Sequence, residues 1–122
     1  MARVQFTVGE QTVMTEFDDT PTARALLKAM PLDAEVSYWG GELYFTTSVR
    51  GKPDATAREV VEPGTVAFWL EGSCLCLFWG PTPVSRSGEC RAASAVNVIG
   101  RVTNPEVLPT LRGRRVRVER MD

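Results

Sequence analysis

The run Val66–Trp79, V-A-F-W-L-E-G-S-C-L-C-L-F-W, constrains the fold more than any other stretch of the chain. Two apolar segments flank Glu71-Gly72-Ser73, so the run reads as a β-hairpin. Side chains alternate across a strand. With a three-residue loop, Val66, Phe68, Leu70, Cys74, Cys76 and Phe78 share one face, and Ala67, Trp69, Leu75, Leu77 and Trp79 share the other. Both faces are apolar, and both need cover. One fills a core. The other is covered by a helix or loops, or it remains an apolar patch of the kind that marks a binding surface.

The rest of the chain supplies mostly short strands. Residues 2–17 alternate apolar and polar around Gly9-Glu10, a second hairpin. Thr20 can cap a helix whose first residue is Pro21, and Ala23, Leu26, Leu27 and Met30 form its apolar stripe. Pro31 ends it. Glu35–Tyr38 and Glu42–Thr47 are strands joined through Gly40-Gly41, which is either a tight hairpin turn or a bulge. Residues 50–59 read as a polar loop, and residues 84–95 as a loop of small polar residues. Asn97–Val102 is a strand with a bulge at Gly100. Asn104–Leu111 is a short 3-10 or irregular turn. Arg115–Glu119 is a last strand with Val116 and Val118 facing inward, and its arginines suit an exposed sheet edge. About eight strands and one helix predict a closed antiparallel β-barrel in one domain, residues 1–122.

Composition excludes several chemistries. The 122 residues include no histidine. That removes Ser–His and Cys–His nucleophile pairs and the usual zinc sites. Cys74 and Cys76 are neighbours on one strand face, where disulfide geometry is poor, and no basic residue nearby in sequence activates a thiol. The three cysteines therefore read as reduced thiols. The sequence assigns no catalytic residue, metal or cofactor. A net charge of −1 gives no pull toward nucleic acid or a membrane surface. The N-terminus alternates like a strand and lacks a signal peptide's apolar core, which predicts a cytoplasmic protein.

Five residues are candidates for ligand binding. Glu42 and Tyr44, two apart, share a strand face. Trp69 and Trp79 belong to the apolar hairpin. Thr82 sits in the corner Gly80-Pro81-Thr82-Pro83, where each proline fixes φ and Thr82 is held extended. That corner is first a shape-holding device, and its Thr82 hydroxyl can also rim a pocket. Aromatic rings with one carboxylate suit a cation or a peptide.

W-G-G-E-L-Y-F (39–45), V-E-P-G-T-V-A-F-W (61–69), C-L-F-W-G-P-T-P (76–83) and N-V-I-G-R-V (97–102) occur in this order. Together they resemble the small prokaryotic cyclophilin-like proteins of unknown function, over nearly the whole chain. The resemblance implies a closed cyclophilin-like barrel with helical caps, and it places Trp69 across from Glu42 and Tyr44. One departure is Gly41, where that family usually has an acid after Trp-Gly. Cyclophilins proper are peptidyl-prolyl isomerases, but their Phe-His-Arg and Gly-Ser-Gln-Phe-Phe patterns are missing. Gly72–Leu77 only faintly echoes the second. The isomerase must lower a barrier of roughly 18–20 kcal/mol, and no donor for that task stands out. The expected function is a noncatalytic module binding a peptide or small molecule in an aromatic groove. The alternatives are a rearranged isomerase and a structural domain that forms homo-oligomers through the apolar outer face of its hairpin.

Overall fold

The structure, a computed structural model, describes residues 1–122. The first hairpin pairs β1 (Ala2–Val8) with β2 (Gln11–Phe17). Helix α1 (Pro21–Ala29) follows, with Thr20 at its N-cap accepting from the Ala23 N–H. The later strands are β3 (Leu32–Glu35), β4 (Ser37–Tyr38), β5 (Glu42–Thr46), β6 (Arg58–Val61), β7 (Thr65–Trp69), β8 (Cys74–Phe78), β9 (Cys90–Val102) and β10 (Arg115–Arg120). A 3-10 helix, Pro105–Thr110, precedes β10. No helix is long and apolar enough to cross a membrane.

The strands form one antiparallel sheet of ten in the order β3-β10-β1-β2-β9-β7-β8-β5-β4, with β6 branching onto β9. The expected closed eight-stranded barrel is corrected here, because no ladder joins β3 to β4. The two ends of the path are nevertheless consecutive in the chain and meet at Val36, whose N–H bonds to the Arg114 carbonyl while Ser37 pairs with Tyr44. The expected edge strand is also corrected. β10 is paired on both sides, by β1 and β3. Its arginines face outward and meet acids of β3, as in Arg117–Asp33 at 2.8 Å, while Val116 and Val118 are buried.

The central hairpin has a different register from the one expected. Its turn holds four residues, Leu70–Ser73, and Trp69 pairs directly with Cys74. Ser73 takes a left-handed φ of 54° to close it. One more turn residue moves every side chain of β8 to the other face. Val66, Phe68, Leu75 and Leu77 therefore face the main core, with Val4, Phe6, Leu26, Leu43, Phe45 and Ile99. Ala67, Cys74, Cys76 and Phe78 form a second core on the outer face, with Val61, Cys90, Ala92 and Val96.

That second core answers how the outer face is covered. Strand β9 begins at Cys90, inside the stretch expected to be a loop, and its first half pairs with β6. Its second half pairs with β7 from Val96 to Arg101, across a bulge where Val66 opposes Gly100 and Ala67 opposes Val98. Gly100 is needed at this point, since a Cβ there would lie 2.1 Å from the Glu16 carbonyl oxygen. The bent strand thus lays β6 and its own first half over the outer face.

Candidate functional site

Cover by β6 and β9 is incomplete at one place. Strands β4 and β5 meet at a tight turn, Trp39–Glu42, in which the Trp39 N–H bonds to the Glu42 carbonyl at 2.9 Å. The Gly40-Gly41 pair is therefore a hairpin turn, and Gly40 adopts a φ of 60°. The turn sets Trp39 beside Glu42. From Glu42, the outer face of β5 continues to Tyr44, opposite Cys76. Trp69 comes from β7, and Ala92 and Ala93 from the overlying β9. These six residues line a half-open hollow of about 190 Å³.

Glu42 is the charged member of that lining and is only 6% exposed. No arginine or lysine pairs with it. The nearest basic side chain along β9, Arg91, is engaged by Glu59 at 3.0 Å and Glu89 at 2.6 Å. Burial holds the Glu42 carboxyl up at a pKa of about 7, and the neighbouring Cys76 thiol only partly offsets this. The carboxyl therefore exists in both forms near neutrality.

Trp69 is fixed from two sides. Its indole N–H donates to Ser94 Oγ at 2.6 Å, and Ser94 Oγ donates to Glu71 Oε2 at 2.8 Å. Its six-membered ring lies against Gly72, where an added Cβ would stand 2.2 Å from Cζ3. The indole's polar handle is thus occupied, and what it offers a ligand is ring surface. The thiols under the hollow are poor nucleophiles. Burial pushes the Cys76 thiol well up, with the nearby Glu42 charge adding to it, and burial also raises Cys74 and Cys90. All three cysteines are buried and unbridged. No group of three or more His, Cys, Asp or Glu side chains is placed to hold a metal.

Of the five residues singled out in the sequence, Glu42, Tyr44 and Trp69 come together at the hollow. The other two do not. The four-residue turn puts Trp79 on the opposite face from Trp69, packed against the main core. Thr82 is 7% exposed, and its hydroxyl donates to the Arg91 carbonyl at 2.5 Å while its N–H donates to Ser85 Oγ. The Gly-Pro-Thr-Pro corner clasps the chain, and the Pro81 carbonyl also accepts from the Gly41 N–H at 2.7 Å. Sequence reasoning missed Trp39, Ala92, Ala93 and Ser94. The hairpin reading of Gly40-Gly41 contained the signal for Trp39. The β9 residues carried none, because only the bend of that strand brings them over the outer face of the β7–β8 hairpin.

Comparison with known proteins gives this arrangement a relationship. The family described as "Cyclophilin-like" matches residues 2–119. The chain belongs to the cyclophilin-like family. Among solved structures, the cyclophilin-like chain is similar to a hypothetical protein from Archaeoglobus fulgidus determined in solution. The two are 38% identical with a TM-score of 0.82, over 98% of this chain and 95% of that one. No curated protein matches. The Gly41 position of this cyclophilin-like protein now has a physical account: a Cβ there would lie 2.4 Å from the Gly80 carbonyl carbon. No acid fits at residue 41 on this backbone, and Glu42 is the acid that reaches the hollow.

Proposed function

We propose that this cyclophilin-like protein is a noncatalytic binding module that takes a small molecule, or one side chain of a peptide, into the hollow between β5, β7 and β9. One observation carries the reading: a buried carboxyl without an ionic partner lies among Trp39, Tyr44 and Trp69. An unpaired buried acid is a cost to the fold, and such costs are retained where a ligand uses them. At about 190 Å³ the hollow is smaller than the roughly 300–1,000 Å³ of sites that enclose drug-sized ligands. It suits a head-group, with the remainder of the ligand outside. The reading includes a cytoplasmic location, consistent with three unbridged thiols.

Catalysis of prolyl isomerisation has less support, because no arginine lines the hollow to donate to a prolyl nitrogen. The test follows the indole N–H resonances of the three tryptophans while a panel of small charged and neutral organic molecules is titrated. The expected result is perturbation of Trp39 and Trp69 with Trp79 unmoved, and no faster exchange of a proline peptide. Perturbations confined to other surfaces would overturn the reading.

A further inference from the structure

From the chemistry of the lining we infer that the ligand is an organic ammonium cation, an alkylammonium or methylated ammonium head-group caged by Trp39, Tyr44 and Trp69 with Glu42 as its counter-ion. The inference rests on the reading of the hollow as a binding site and names its ligand class. The lining holds one ionisable acid, aromatic rings and two alanine methyls, and no cationic side chain. Aromatic faces attract cations through their quadrupole, more strongly when the site is desolvated. Trp69 contributes its ring, since its N–H is spent on Ser94. The Ser94–Glu71 relay and the Gly72 contact hold that ring in place before any ligand arrives, so little ordering is left to be done on binding. An anion would meet the Glu42 carboxylate without a compensating positive group. A neutral ligand would bring no counter-charge and would leave the carboxyl in its protonated form, so it gains nothing from the acid.

The cation should also pull the Glu42 proton off. The groups facing Glu42 are Tyr44 on β5 and Cys74 and Cys76 on β8; β7 and β9 bring Ala67, Trp69, Ala92 and Val96, none of which titrates, and Arg91 of β9 is paired with Glu59 and Glu89. Both thiols titrate above their ordinary range. Glu42, held at about 7, is therefore the group that gives a proton to solvent when the ammonium binds near neutral pH.

The experiment titrates butylammonium, 1-butanol and butyrate into the wild-type protein and into Glu42→Gln, reading the Trp39 and Trp69 indole resonances. Wild type should bind butylammonium about tenfold or more tightly than either of the others. Its affinity should rise about tenfold between about pH 6 and about pH 8 as the carboxyl ionises. Glu42→Gln should lose that preference and the pH dependence, while 1-butanol binding changes little. A parallel titration with N-acetyl-lysine methylamide separates sources. Tighter binding than butylammonium points to a peptide lysine, and weaker binding points to a free amine. Equal binding of 1-butanol or butyrate, or an ammonium affinity indifferent to Glu42→Gln, overturns the ammonium inference and leaves the hollow as a site for something else. No indole response to any of the probes overturns both.

Discussion

Gly72 has no room for a side chain. An added Cβ would stand 2.2 Å from Trp69 Cζ3 and 2.3 Å from Cε3, and a rigid indole cannot bend away as a flexible chain would. Gly72→Ala should therefore rotate Trp69, break its bond to Ser94 and cost roughly 1–3 kcal/mol. A denaturant melt and the loss of the Trp69 indole N–H resonance position check this; an unmoved resonance would mean that the ring is held by other contacts. Gly41 faces a harder obstacle, since its neighbours are the Gly80 backbone atoms at 2.4–2.5 Å. Gly41→Asp should destabilise by more than about 3 kcal/mol or prevent folding. A stable Gly41→Asp protein would show that the Gly41–Gly80 stacking can open. The two glycines act on the same site from different sides, Gly72 by fixing the ring and Gly41 by setting the turn that presents Trp39 and Glu42.

At the scale of elements, the buried Asn97 amide helps tie the loop between β5 and β6 to the sheet, beside the Val98 N–H that donates to Thr56 Oγ1 at 2.9 Å. Asn97 Nδ2 donates to the Lys52 carbonyl at 2.8 Å and to Thr22 Oγ1 at 3.3 Å, and its Oδ1 accepts from the Asp54 N–H at 3.2 Å. Asn97→Ala leaves these groups without partners and should cost about 2–3 kcal/mol. Hydrogen exchange at the Asp54 amide should quicken before the sheet opens, and unchanged protection there would contradict the tether. Local patterns made some elements legible from the sequence. The β1–β2 hairpin and α1 carry their own alternation, turn and cap, so Val4, Phe6, Thr20 and Pro21 suffice to place them. The central hairpin was legible as a hairpin but not in register, because Leu70 reads equally as strand or turn. The first half of β9 was not legible. Cys90 and Ala92 are buried only by a strand bend of long-range origin, and Ala93, Ser94 and Ala95 look like loop. The same distinction divides the site: Glu42 and Tyr44 follow from period two on one strand, whereas Ala92, Ala93 and the Ser94 anchor depend on β9 bending over the outer face of the β7–β8 hairpin.

For the whole molecule, the two cores on opposite faces of the sheet differ in their response to pH. The main core holds no ionisable side chain, while the outer one borders Glu42. The folded-state pKa of Glu42, about 7, exceeds its ordinary value of 4.5 because burial disfavours the charge. Folding therefore takes up a proton between these values. Stability is greatest below about pH 4.5 with respect to this group and declines as pH rises toward 7, by on the order of 3 kcal/mol. Glu89 and Asp122 shift the other way, each lowered first by its hydrogen bonds to arginine neighbours. Their contributions are lost only in more acidic solution, outside this window. Glu42→Gln removes the proton uptake, so the variant should show a flat profile across the window and be more stable than wild type at pH 8. Urea melts at a series of pH values measure both chains directly. If the wild-type profile is flat between about pH 5 and about pH 7, the carboxyl is better solvated than its 6% exposure implies. If Glu42→Gln is instead less stable at pH 8, the carboxylate holds the fold together and is not held in reserve for a ligand. A gain in stability on losing the acid, together with a loss of ammonium binding, is the pattern expected of a group kept for binding at the expense of the fold.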